Sequence, residues 1–284
     1  MAGMSRKKPR PTPVPAEPIR GLIDAHTHLA SCGAGEAQGV AEIMDRAGRA
    51  GVERVCTVGD GLAEAELALA AAHQDERVYA ACAIHPTRAR ELDQAARERL
   101  TEMAADPRCV AIGETGLDTY WIEHAPDDTA PLGVQEEALR WHIDLAVRSG
   151  KALMIHNREG DADLMRILAD APRPAETILH CFSSPEDVAR EALDRGYVLS
   201  FAGNSTFKRN EELREAARIA PAGQILVETD APYMTPEPFR GARNEPMLIG
   251  HTARRLAEVR GESPEEFVGH VSATFDRVYG LAEA

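Results

Sequence analysis

Eight short apolar runs alternate with longer amphipathic stretches, and that alternation sets what this chain can fold into. The runs are GLID (21–24), RVCTV (54–58), VYAACAI (78–84), VAIG (110–113), ALMI (152–155), TILH (177–180), YVLSF (197–201) and ILVE (225–228). Each is rich in Val, Ile or Leu, as strands of a parallel sheet are when helices cover both faces. Helical spacing predicts helices over 37–50, 63–73, 91–104, 135–149, 161–169, 185–195 and 210–219. Two more follow the eighth run, over 247–260 and 264–279. Ser184 is expected to cap the helix at 185–195, with Pro185 in its first turn. Eight βα units suit an α/β fold of the (β/α)₈ TIM-barrel kind, and pattern alone also allows an open doubly wound sheet. A chain of 284 residues is long enough for one such barrel, which takes ~250. We expect a single barrel domain over 21–284. It would follow a disordered, basic, Pro-rich arm over 1–20 that lacks the apolar centre of a secretory signal.

Composition narrows the function. The net charge of −14 excludes a protein that coats nucleic acid through its overall field, so any phosphate binding must be local. The five cysteines, Cys32, Cys56, Cys82, Cys109 and Cys181, are scattered, with no CxxC pair. That argues against a disulfide framework or a thiolate zinc site, and for a reducing, cytoplasmic setting. No apolar stretch is long enough for a bilayer, and no feature points to an obligate protein partner.

A barrel places its chemistry at the C-terminal ends of its strands. There the sequence has His26 and His28, then His85, Glu114, His156 and Arg158, His180, and Asp230. Strand side chains alternate, so His26 and His28 share a face. Alone, such a pair is ambiguous. Joined by other histidines, Glu114 and Asp230, it belongs to a nitrogen-and-oxygen donor set suited to Mg²⁺, Mn²⁺ or Zn²⁺. Six ligands exceed what one catalytic zinc needs, which points to two divalent metal ions with one bridging carboxylate. His73, His142, His251 and His270 fall in helical stretches and His124 in the long connection at 118–133. These five are expected to be structural. That connection is either a cover for the site or an acidic surface loop.

Seven motifs in order, IDAHTHL, AIHP, IGETGLD, IHNRE, LHCFS, VETDAPY and PFRGARNEP, resemble the TatD family of metal-dependent deoxyribonucleases, among the amidohydrolase-like metal barrels. The resemblance spans 22 to 280. It implies that His26 and His28 hold one metal and that Glu114 bridges both. It also implies that His156 and His180 serve the second metal, and that Asp230 binds the first and takes a proton from the attacking water. By the same route His85 and Arg158 would contact phosphate, and Arg240 and Asn244 would shape the substrate end of the pocket. The sequence departs from the family pattern at Thr87, Thr119, Ser184 and Thr274, none of them a presumed metal ligand. The substrate implied is DNA, single-stranded or at 3′ ends.

Two divalent cations set against two carboxylates and a hydroxide leave the site net positive, so an acidic chain can still attract a phosphodiester there. Metal binding also lowers the pKa of water towards ~7, and Arg158 offers a bidentate clamp. Lys208 and Arg209 are expected at a solvated helix start. Aromatic residues make up only 5% of the chain, too few for an extended stacking surface. Tyr120, Trp121, Phe182 and Tyr233 remain candidates to stack one terminal base. The competing function is hydrolysis of an amide, ester or lactone in a small molecule. Many binuclear sites of that kind bridge their metals with a modified lysine on the fourth strand, where this chain has Glu114.

Overall fold

The computed structural model describes residues 11–282. Its strands are β1 (Leu22–Thr27), β2 (Val52–Val58), β3 (Val78–Ala81), β4 (Cys109–Asp118), β5 (Ala152–Arg158), β6 (Thr177–Leu179), β7 (Val198–Phe201) and β8 (Ile225–Val227). They form one sheet in sequence order with every hydrogen-bonded neighbour parallel. An isolated parallel bridge from Thr27 to Ala231 joins its two ends, and the expected (β/α)₈ barrel results. Asp24 strengthens that seam. It is fully buried, and it accepts the Thr229 backbone N–H at 2.8 Å and the Thr229 hydroxyl. Burial raises its carboxyl to about 8, against those hydrogen bonds.

The helices are α1 (Ala37–Arg49), α2 (Leu62–Gln74), α3 (Gln94–Ala104), α4 (Thr119–His124), α5 (Leu132–Ser149), α6 (Asp161–Asp170), α7 (Glu186–Asp194), α8 (Glu211–Ile219), α9 (Ile249–Arg260) and α10 (Pro264–Val278). They cover the sheet with apolar stripes. In α1, Val40, Ile43, Met44 and Ala47 are buried, at the i, i+3, i+4, i+7 spacing of one helix face. Helix α10 starts on a capping box between Ser263 and Glu266, with Pro264 in its first turn. No helix among the described residues is long and apolar enough to cross a membrane.

Three expectations change. The arm expected over 1–20 lies partly outside the described residues, and within them residues 11–20 are mostly exposed but touch the barrel at a few points. Ile19 is 2% exposed, His251 on α9 bonds the Val14 carbonyl at 2.9 Å, and Arg254 donates to the Glu17 carbonyl at 2.9 Å. Ser184 does not cap α7. Pro185 occupies that position with no side-chain bond, because the Ser184 hydroxyl donates to Asp161 instead. Finally, β4 runs on to Asp118 and leads directly into α4, so the connection at 118–133 begins as ordered structure.

Candidate metal centre

The barrel mouth gathers four imidazoles around one carboxylate. His26 and His28 leave β1 on the same face, and their Nε2 atoms lie 3.2 Å apart. Glu114 reaches them from β4. The pairing of β4 with β5 shifts register between Ile112 and Thr115, and a bulge of this kind re-aims the side chain it carries. Gly116 keeps the strands close: its φ is +148°, and any β-carbon there would collide with the carbonyl oxygen of His156. His156 comes from β5, His180 follows β6 and Asp230 follows β8. Asp230 sits in left-handed backbone, with φ of 52°, a conformation uncommon outside glycine that tends to cluster at functional sites.

The two Glu114 oxygens face different partners. Oε1 lies 3.8 Å from His26 Nε2 and 3.5 Å from His28 Nε2. Oε2 lies 3.3 Å from His156 Nδ1 and 2.7 Å from His180 Nε2. Asp230 Oδ1 joins the first group, 3.7 Å from His26 Nε2 and 3.6 Å from His28 Nε2. The first group thus has two imidazoles and two carboxylates, and the second has two imidazoles and the shared carboxylate.

The outer nitrogen of each ring has its own partner. His28 Nδ1 faces Asp60 at 3.4 Å, His156 Nε2 faces Asp118 at 3.0 Å and His180 Nδ1 faces Glu228 at 3.2 Å. His26 Nδ1 faces the Met154 sulfur at 3.1 Å. A proton on each outer nitrogen, facing an acceptor, leaves the inner nitrogens with lone pairs directed at the centre. Metal-ligating histidines are oriented in this way. The donor set therefore fits divalent cations.

The electrostatics agree. Burial works against charge on His28, but the hydrogen bond to Asp230 and the charges of Glu114, Asp230 and Asp60 drive it up to about 9. His180 is held well above the usual range by Glu114 and Glu228 in spite of burial. Glu114 is held well below the carboxylate range, because the neighbouring imidazoles outweigh its burial. The centre demands positive charge, which divalent cations supply without spending the lone pairs on protons.

Of the other expected site residues, His85 lies against the centre, Arg158 stands at the end of β5, Arg240 in the loop after β8, and Asn244 is buried in that same loop. The His85 ring lies 4.4 Å from that of His156. Burial and the charge of His156 press its pKa down to about 3, so the ring is neutral. The Thr87 N–H donates to its Nδ1 at 3.3 Å, which assigns the remaining proton to Nε2. Arg158 is exposed at the rim, 3.7 Å above the Tyr120 ring. Arg240 stacks on Phe207 at 4.3 Å, in the loops after β8 and β7. Asn244 is buried and gives both amide hydrogens to backbone, to the Thr229 carbonyl at 2.9 Å and the Tyr233 carbonyl at 2.6 Å, so it shapes the loop after β8. Phe182 is a core residue, 2% exposed and packed on Phe201, so it offers no face to a base.

Sequence reasoning missed Asp60, Asp118 and Glu228. Glu228 is fully buried, takes the Cys181 N–H at 2.8 Å as well as His180, and receives the Ser200 hydroxyl. Its signal was its place directly after the apolar run of β8, two residues before Asp230. Among the described residues, none of the five histidines expected to be structural joins a group of side chains that could hold a metal. His142, for one, is buried on α5 and bonds the Ala138 carbonyl at 2.8 Å.

Comparison with known proteins gives the family and the fold. The family described as TatD related DNase matches residues 23–280. An uncharacterized metal-dependent hydrolase TatD of Mycobacterium tuberculosis is 49% identical over 260 residues, covering 92% of this chain and 98% of that protein. A 3′-5′ ssDNA/RNA exonuclease TatD of Cronobacter sakazakii is 31% identical over 244 residues, covering 84% of this chain and 90% of the relative. The crystal structure of YJJV, a TatD homologue from Escherichia coli, superposes with a TM-score of 0.84 at 24% identity, covering 92% of this chain and 99% of that one. The chain belongs to the TatD-related DNase family and is a metal-dependent hydrolase.

Proposed function

We propose that the protein is a two-metal nuclease that hydrolyses phosphodiester bonds of single-stranded DNA from 3′ ends. The observation that carries this reading is the division of Glu114 between two imidazole pairs. In it, His26, His28, Glu114 and Asp230 hold one cation, and His156, His180 and Glu114 hold the other. Mg²⁺, Mn²⁺ and Zn²⁺ all suit these donors.

When bound, two such cations would lower the pKa of water and stabilise charge growing on phosphoryl oxygens. The chain's own residues do the rest. Asp230, 7% exposed against 3% for Glu114, is the carboxylate more open to solvent, and it accepts the proton that the attacking water loses. His85 donates its Nε2 proton to a phosphoryl oxygen. Arg158, whose guanidinium has no ion pair among the described residues, clamps phosphate at the rim. Arg240 lines the far side of the mouth.

The test is purified protein with Mg²⁺ or Mn²⁺ on single-stranded DNA labelled at either end, beside a panel of lactones, esters and amides. Shortening from the 3′ end is expected. Intact DNA together with an opened lactone would overturn the reading in favour of a small-molecule hydrolase. Nothing in the centre favours that alternative. Lys151 lies before β5, where it reaches the Asp106 carbonyl at 3.4 Å, at the opposite end of the barrel from Glu114. Anomalous scattering on metal-grown crystals would count and identify the ions.

A further inference from the structure

Two aromatic side chains are exposed among the described residues, Trp121 at 40% and Tyr233 at 53%, and both stand at the barrel mouth. Trp121 belongs to α4, whose start is tied to the centre through Asp118. One Asp118 oxygen accepts the Trp121 N–H at 2.8 Å, and the other faces His156 Nε2 at 3.0 Å. A single buried carboxylate thus sets both the His156 imidazole and the backbone of Trp121.

The neighbouring ring is already used. His124 stacks on Tyr120 with ring centres 3.9 Å apart and planes 14° from parallel. Arg158 sits over the same ring at 3.7 Å. Two groups that close to one ring centre must occupy opposite faces, so Tyr120 has no face left. Its role is to hold the Arg158 guanidinium in place. Arg158 also lies over the Trp121 ring at 5.4 Å and the Tyr120 ring meets it edge to face at 5.1 Å, so an indole still 40% exposed stands next to a fixed cation.

A phosphate needs the cation and an unpaired base needs a flat apolar face, and a nucleotide carries both at about this separation. We propose that Trp121 is the stacking platform for the base of the terminal nucleotide whose phosphate Arg158 holds, on the His156 side of the centre. The proposal rests on the nuclease reading and names a residue that sets its preference for an unpaired end. A paired terminal base is held in plane with its partner and cannot turn out onto the indole, whereas a frayed or single-stranded end can.

The experiment compares metal-loaded protein on two single strands, one ending in an ordinary 3′ nucleotide and one whose last residue lacks its base. Wild type is expected to cut the base-bearing end with kcat/KM about tenfold higher, in line with stacking on one aromatic side chain. Trp121→Ala is expected to lose that preference, and Trp121→Phe to restore most of it. With Trp141→Phe as background, Trp121 is the sole tryptophan of the two in the chain. Its fluorescence should be quenched by a cleavage-resistant phosphorothioate strand only when the terminal base is present. Equal rates on both ends in wild type, a preference that survives Trp121→Ala, or cutting without quenching would each overturn the platform while leaving the nuclease reading intact. If neither strand is cut, the nuclease reading falls and the platform falls with it.

Discussion

Asp118 and His156 meet through a 3.0 Å contact between a carboxylate oxygen and the outer ring nitrogen, and this bond turns Nδ1 towards Glu114. Asp118 is fully buried, and its hydrogen bonds from His156 and from the Trp121 N–H outweigh that burial, so its pKa is lowered. Partners of this kind typically contribute 10- to 100-fold in metal affinity or activity. Asp118→Asn should therefore weaken one cation by roughly 10- to 100-fold and leave the one beside His26 and His28 less affected. Isothermal titration with Mn²⁺ would resolve two classes of site in the variant. Unchanged affinity at both would refute the arrangement.

Cations that bind only the folded chain stabilise it by mass action. At about a hundred times the dissociation constant the gain is about 3 kcal/mol. For a chain of this size that is a rise of about 5–10 °C in Tm. Mn²⁺ added to chelator-treated protein should produce it, and Glu114→Ala, which removes the shared ligand, should abolish it. Calorimetry with and without the ion is the check, and full metal content in both His26→Ala and Glu114→Ala would show that the centre is assigned to the wrong residues.

His142 predicts an acid limit. Burial presses its pKa down to about 3 against the pull of the Ala138 carbonyl, and the Ile84 N–H at 3.3 Å needs a ring nitrogen that carries no proton. The unfolded chain takes up a proton near pH ~6.5 and the folded one does not. The stability from this group is complete above that pH and falls as pH drops from ~6.5 towards 3, by up to a few kcal/mol. Urea midpoints from pH 7 to 4.5 should fall less steeply for His142→Gln than for wild type. Parallel slopes would dismiss the effect.

Arg158 stacks on Tyr120 by virtue of a flat guanidinium, and lysine cannot reproduce that geometry. Arg158→Lys should raise KM for a phosphodiester about tenfold, through loss of the bidentate clamp, while metal content stays the same. Steady-state kinetics paired with metal analysis would separate these quantities, and an unaltered KM would remove Arg158 from the phosphate site.

Much of this architecture was readable from local pattern. Eight apolar runs became eight parallel strands because burial on both faces needs continuous Val, Ile and Leu. His26 and His28 could be placed on one face from the two-residue period of a strand alone. Both signals are local, so they survive in a bare sequence. Asp60 against His28, Asp118 against His156 and Glu228 against His180 are of another kind. Each joins side chains from different βα units, and only the register of a closed sheet decides which carboxylate meets which ring. The same holds for Ser184, drawn from its expected cap to Asp161, and for Ile19, buried in a segment whose composition reads as an arm. Sequence by itself determined the eight βα units and the donor types, while closure into a barrel rests on the seam between β1 and the residues after β8. The tertiary structure alone decided which nitrogen of each imidazole faces the centre, because that choice belongs to the partner on the far side of the ring.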